Sequence, residues 1–114
     1  MTDQNDSTAT TARLFSDFTL DAPIRIGDQL VHDAGTKIQV RRPSAGELRG
    51  IDISAVISRC DYAQIEKIAP RLTNPILHKE HVAAMDPADF VQLGGEIVDF
   101  LLPKAVKQAA SQTA

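Results

Sequence analysis

Lys37-Ile38-Gln39-Val40-Arg41-Arg42-Pro43-Ser44-Ala45-Gly46-Glu47-Leu48-Arg49-Gly50 is the stretch on which the fold turns. Ile38 and Val40 alternate with Gln39 and Arg41, the period of a strand with one buried face, and Pro43 ends the ladder because it has no backbone N–H to donate. Ser44 followed three residues later by Glu47 is a capping box, so a helix is predicted to start there. Upstream, short apolar pieces (Phe18-Thr19-Leu20, Pro23-Ile24-Arg25-Ile26, Gln29-Leu30-Val31) are separated by the turn signals Gly27-Asp28 and Asp33-Ala34-Gly35, which reads as a meander of two to four short strands. Downstream the period becomes helical.

Leu48, Ile51, Ala55 and Val56 recur at three- and four-residue steps and predict one helix over 45–59. Asp61 caps a second helix whose stripe is Tyr62, Ile65, Ile68 and Ala69, ending before or near Pro70, where proline clashes with the preceding turn. Asn74-Pro75 marks a loop, and a short helical turn is expected over 78–84. The last helix has the clearest start, with Asp86 as N-cap, Pro87 at the first position and Asp89 in the first turn, and it is predicted to run from 87 to about 102. Phe90, Leu93, Ile97 and Leu101 form one stripe of that helix, while Val91, Val98, Phe100 and Leu102 add apolar surface on other sides. Gly94 and Gly95 in its middle each cost about 1 kcal/mol relative to Ala, which predicts a kink or a close approach of this backbone to something else.

These pieces give an α+β fold, a small N-terminal antiparallel β-meander followed by three to four short α-helices. Residues 14–103 make one domain, flanked by an expected disordered arm (1–13) and a frayed or disordered tail (104–114), because both flanks are too polar to offset the entropy of ordering. The chain of 114 residues is 43% hydrophobic but only 4% aromatic, so its core is aliphatic. A domain of this size buries about 60–70% of its unfolded surface, so contact with a partner matters alongside the internal core.

The run Val40 to Arg49 resembles the strand-to-helix segment of the phage tail assembly chaperones of Mu-like prophages and their relatives. Leu20-Asp21-Ala22-Pro23-Ile24-Arg25-Ile26-Gly27-Asp28 is similar to the opening hairpin of that family, and Val82 to Phe90 to the segment leading into its last helix. The likeness spans about residues 18–103. It implies a non-catalytic chaperone that binds the tape measure protein, keeps its apolar helices from aggregating and assists assembly of the tail tube protein, acting in the host cytoplasm. It also implies that a second, extended product exists in some members.

The net charge of −3 and pI of about 5.5 lack the basic footprint of a nucleic-acid binder. Arg41, Arg42 and Arg49 make a small basic cluster diluted by Asp28, Asp33, Glu47 and Asp52. The single cysteine, Cys60, excludes an internal disulfide and reads as a structural residue at the end of the first helix in a reducing compartment. No run reaches the roughly 18 apolar residues of a membrane span.

His78 and His81 stand three residues apart, without the H-E-x-x-H spacing of a zinc hydrolase, and His32 reads as a surface strand residue. No phosphate-cradling glycine loop occurs. Asp86, Asp89, Glu96 and Asp99 are accounted for by capping and a solvated helix face, so no catalytic residues, cofactor or metal are expected. The expected partner surface is the last helix, with Phe90, Leu93, Ile97, Val98, Leu101 and Leu102, together with Arg41 and Arg42. A groove lined by Tyr62, Ile65, Leu72, Ile76 and Leu77 is the other candidate. The rival readings are a small regulatory protein-binding module of phage origin and, more remotely, a metal-dependent hydrolase using His78 and His81.

Overall fold

The computed structural model describes residues 14–103. The arm and tail expected at 1–13 and 104–114 lie outside the described residues. Strand β1 (Phe15–Thr19) does not pair with its neighbour in sequence. It runs antiparallel to β4 (Lys37–Arg41), from Phe15 opposite Arg41 to Thr19 opposite Lys37. Between them, β2 (Ile24–Ile26) and β3 (Gln29–His32) form a separate hairpin, with an irregularity between Ile24 and Arg25. The four strands are antiparallel as expected, but the chain excurses through the hairpin before returning to β1. Alternation along β4 puts Ile38 and Val40 fully inside while Lys37 and Gln39 face water.

The helix predicted over 45–59 is two elements. Ala45–Leu48 is a single 3-10 turn, Gly50 adopts φ +82°, and α1 (Ile53–Arg59) restarts with Asp52 as its own N-cap, accepting from the Ala55 N–H at 3.1 Å. A left-handed residue cannot continue a right-handed helix, and glycine takes that conformation without the Cβ penalty. The apolar positions still point inward, since Leu48, Ile51, Ala55 and Val56 are all buried.

Helix α2 (Tyr62–Leu72) is capped by Asp61, which accepts from the Gln64 N–H. It ends near Pro70 as expected, two residues beyond it. Proline this close to a helix end removes one backbone donor where few remain to be made, and Thr73 closes the end by donating both its N–H and its hydroxyl to the Ala69 carbonyl. Thr73 and Asn74 then form β5 (Thr73–Asn74) on the far side of β4, so the sheet order is β1-β4-β5. The following Asn74-Pro75 peptide is cis. Two helices remain, α3 (Lys79–Ala84) and α4 (Pro87–Leu101), the latter starting with Asp86 accepting from the Ala88 N–H.

One aliphatic core joins sheet and helices, with Ile24, Ile38, Val40, Ile65, Leu77, Leu93 and Ile97 wholly excluded from solvent. The stripe of α4 that enters this core is Asp89, Leu93, Ile97 and Phe100.

Candidate functional site

Helix α4 has two apolar faces. The inner one is core, and it takes Leu93 and Ile97, both 0% exposed, away from any partner. The outer face is Val91, Gly95, Val98 and Leu102, spaced at i, i+4, i+7 and i+11. With Ile57 and Cys60 at the end of α1 it lines an open hollow of about 400 Å³, whose rim carries Arg59 and Asp99. Around Val91 the surface runs into a second hollow of about 280 Å³, between Tyr62 at the start of α2, Val82 and Met85 from α3, and Pro87 and Phe90. Tyr62 and Phe90 stack at a tilt there, with ring centroids 5.2 Å apart. Val91, shared by both hollows, is 65% exposed, the highest value among the large apolar residues described.

The two glycines of α4 do different things. A Cβ on Gly94 would stand 2.2 Å from the Cys60 Sγ, so glycine is required for α4 to lie against the end of α1. This is the close approach anticipated from sequence. A Cβ on Gly95 would meet nothing within 4 Å. Cys60 is the C-cap of α1, with φ 49°, and burial pushes its thiol up, away from the thiolate that a nucleophile requires.

The expected partner residues thus divide. Phe90, Val98 and Leu102 line the hollows, and Phe90 and Val98 are, like Leu101, also half-buried against the core. Arg41 and Arg42 line neither hollow. Arg41 makes a two-pronged pair with Glu47 and donates to the Arg71 carbonyl at 2.9 Å, and Arg71 donates to the Glu47 and Arg49 carbonyls. Arg41 is therefore a clasp holding the 3-10 turn to the end of α2. Its guanidinium, followed by the Ser44 N–H, holds the Glu47 carboxyl down at about 2. The Arg42 guanidinium lies 5.9 Å from the centre of the Phe100 ring. Of the second expected groove, Tyr62 lines a hollow, but Ile65, Leu72 and Leu77 are core and only Ile76 is exposed.

Asp89 was expected to be a solvated first-turn carboxylate; it is 0% exposed. It accepts from the backbone N–H groups of Asp21 and Ala22, at 2.9 and 3.1 Å, and from the Gln92 amide at 3.2 Å. It therefore pins the turn after β1 to the start of α4. The signal was available: Asp89, Leu93 and Ile97 share one stripe at four-residue spacing, which puts a carboxylate on the core face. Glu96 is likewise engaged, accepting from the Ser16 hydroxyl.

The histidines meet without forming a metal centre. His81 Nδ1 accepts from the His78 N–H at 3.1 Å, which caps α3, and the His32 ring stands edge-on to His81 with centroids 6.0 Å apart. Burial and then the neighbouring His81 lower the His32 pKa. Among the described residues no group of three or more His, Cys, Asp or Glu is placed to hold a metal ion, and no helix is long and apolar enough to cross a membrane.

Fold and hollows together give a small α+β fold with two adjoining apolar hollows along α4. The chain belongs to the phage tail assembly chaperone family: the family described as "Phage tail assembly chaperone proteins, E, or 41 or 14" matches residues 17–102. It is similar to tail assembly protein E of Escherichia phage P2, 37% identical over 89 residues, which cover 78% of this chain and 92% of that protein. It is also similar to tail assembly protein E' of the same phage, 37% identical over 84 residues, 74% of this chain and 56% of that protein. The chain thus matches just over half the length of the E' relative. No solved structure matches it. Membership carries a role in phage tail assembly and interaction with tail proteins.

Proposed function

We propose that this protein is a non-catalytic chaperone that holds apolar helices of the tape measure protein during tail assembly in the host cytoplasm, and that it assists the tail tube protein in joining them. The observation that supports this reading is the outer face of α4. Val91 and Ile57 are exposed, and with the half-buried Phe90, Val98 and Leu102 they form a continuous furrow. The furrow follows α4, whose 15 residues extend about 22 Å, the length of a four-turn helix. An amphipathic helix seated in such a groove is held by apolar area, a contact that forms without chemistry and releases when a better partner covers the helix.

Co-expression with the tape measure protein of the same phage tests the reading. The tape measure protein is expected to stay soluble and co-elute with this chain. Val91→Asp, which sets a charge at the exposed centre of the furrow, is expected to abolish co-elution while the domain remains folded by circular dichroism. Val98→Asp and Leu101→Asp are expected to cost fold and binding together, because both residues pack against the core. Full rescue by Val91→Asp would refute the furrow as the binding surface.

A further inference from the structure

Strand β1 is the outer strand of the sheet β1-β4-β5, and its register leaves one edge open. The Arg42 N–H donates to the Leu14 carbonyl at 2.7 Å and the Leu20 N–H to the Thr36 carbonyl at 2.9 Å, which makes these the bonded pairs at the two ends of the ladder. Bonded and non-bonded pairs alternate between antiparallel strands. Ser16 and Phe18 therefore turn their backbone groups toward β4, while Phe15, Asp17 and Thr19 turn theirs away from it. Among the described residues nothing bonds the amides or carbonyls of those three. All three are exposed, Phe15 to 50%, and Leu14 beside them to 56%. The Asp17 carboxylate has no hydrogen bond or ion pair among the described residues. β1 carries neither the proline nor the bulge with which proteins blunt such an edge.

We infer that this edge is a docking site for one extended segment of a partner polypeptide, added antiparallel to β1 with a lysine or arginine opposite Asp17 and an apolar side chain opposite Phe15. An open amide and an open carbonyl on each of Phe15, Asp17 and Thr19 are satisfied together only by extended backbone, which fixes the conformation of the occupant. The unpaired carboxylate at the middle and the exposed ring at one end fix its side chains. A second copy of this chain does not fit. Two-fold pairing centred on Asp17 sets carboxylate against carboxylate. Centred on Ser16, it lays each Asp17 against the other copy's Phe15. Centred on Phe18, its outer pairs need the Asp21 N–H, which Asp89 already holds at 2.9 Å. The edge shares no residue with the hollows along α4, so it stands whether or not they bind a helix.

The probe is a short synthetic peptide in which threonine alternates with valine, a central lysine and valine, and the readout is amide exchange by NMR on the full chain. In the free protein the amides of Phe15, Asp17 and Thr19 are expected to exchange fast and those of Ser16 and Phe18 slowly. Peptide at about ten times its Kd is expected to slow the first three about tenfold. Asp17→Pro removes an amide that faces away from β4, so the domain is expected to stay folded by circular dichroism while peptide binding is lost. Asp17→Lys is expected to weaken the lysine peptide about two- to fivefold and to prefer one with glutamate at its centre. A peptide that leaves the three amides unprotected, or that binds Asp17→Pro as well as the native chain, would overturn the site. Equal affinity of Asp17→Lys for the two peptides would overturn the cation opposite Asp17. Amides already protected in the free monomer, or protected in a dimer seen by light scattering, would overturn the partner segment in favour of the chain itself or a second copy.

Discussion

Asp89→Asn isolates the charge of a buried carboxylate from its shape. In the native domain the two oxygens of Asp89 take the N–H groups of Asp21 and Ala22 at 2.9 and 3.1 Å. Asparagine keeps one acceptor and turns an NH₂ toward the other N–H, so one charge-assisted bond is lost and two donors face each other. A hydrogen bond to a charged group contributes about 1.5–3 kcal/mol, and a buried donor left unpaired costs about 1–3. The Asp21 and Ala22 amides lie at the edge of the core, where water reaches them in part, so the lower half of those ranges applies. Loss of the negative charge from the first turn of α4 adds about 0.3–1 kcal/mol. At the lowest ends of these ranges the expected destabilisation is about 3 kcal/mol, which at about 4–8 °C per kcal/mol lowers Tm by about 12–24 °C. Urea unfolding followed by circular dichroism reads the difference directly. A change below about 0.5 kcal/mol would refute the role given to Asp89.

Gly94→Ala is expected to cost about 1–3 kcal/mol by overpacking against the Cys60 Sγ, and to cost nearly nothing in a Cys60→Gly background, a coupling that chemical denaturation of the four variants measures. Glu47 ionises far below the usual carboxylate range in the folded state because of Arg41 and the Ser44 N–H, so its contribution is fully present above about 4.5 and disappears as pH falls through about 2. Unfolding of the native chain and Glu47→Gln is thus expected to differ at pH 6 and to converge near pH 2. His32 is held below its ordinary 6.5 by burial and by His81, so the unfolded chain takes up the proton first and the domain loses stability as pH drops below about 6.5. His32→Gln is expected to flatten that slope in thermal melts between pH 7 and pH 5.

What could be read from sequence was local. The alternation of Ile38 and Val40, the caps at Asp61 and Asp86 and the proline at Pro87 each depend on residues within one turn or strand, and each element stands where expected. The split of the first helix was also local, but Gly50 and Asp52 were outweighed by an apolar spacing that the 3-10 turn and α1 together satisfy. The pairing of β1 with β4, the addition of β5 and the burial of Asp89 join residues 18 to 68 positions apart, and no periodicity encodes such distances. The apolar excess of α4 was legible as a quantity. Its division into an inner face with Leu93 and Ile97 and an outer one with Val91 and Val98 required knowing where the sheet lies.

The grip of Asp89 on the Asp21–Ala22 turn has a consequence for synthesis. The ribosome delivers the chain from its N-terminus, yet the turn after the first strand finds its partner only when residue 89 has emerged, and the core to which Phe18 belongs is complete only with the helix that follows. Closing contacts of such separation is slow, and none of the domain's first half is complete without its last element. The turn after the first strand is therefore completed only once residue 89 has been made, and a product truncated ahead of that helix lacks both the Asp89 acceptors and the part of the core that Leu93 and Ile97 supply.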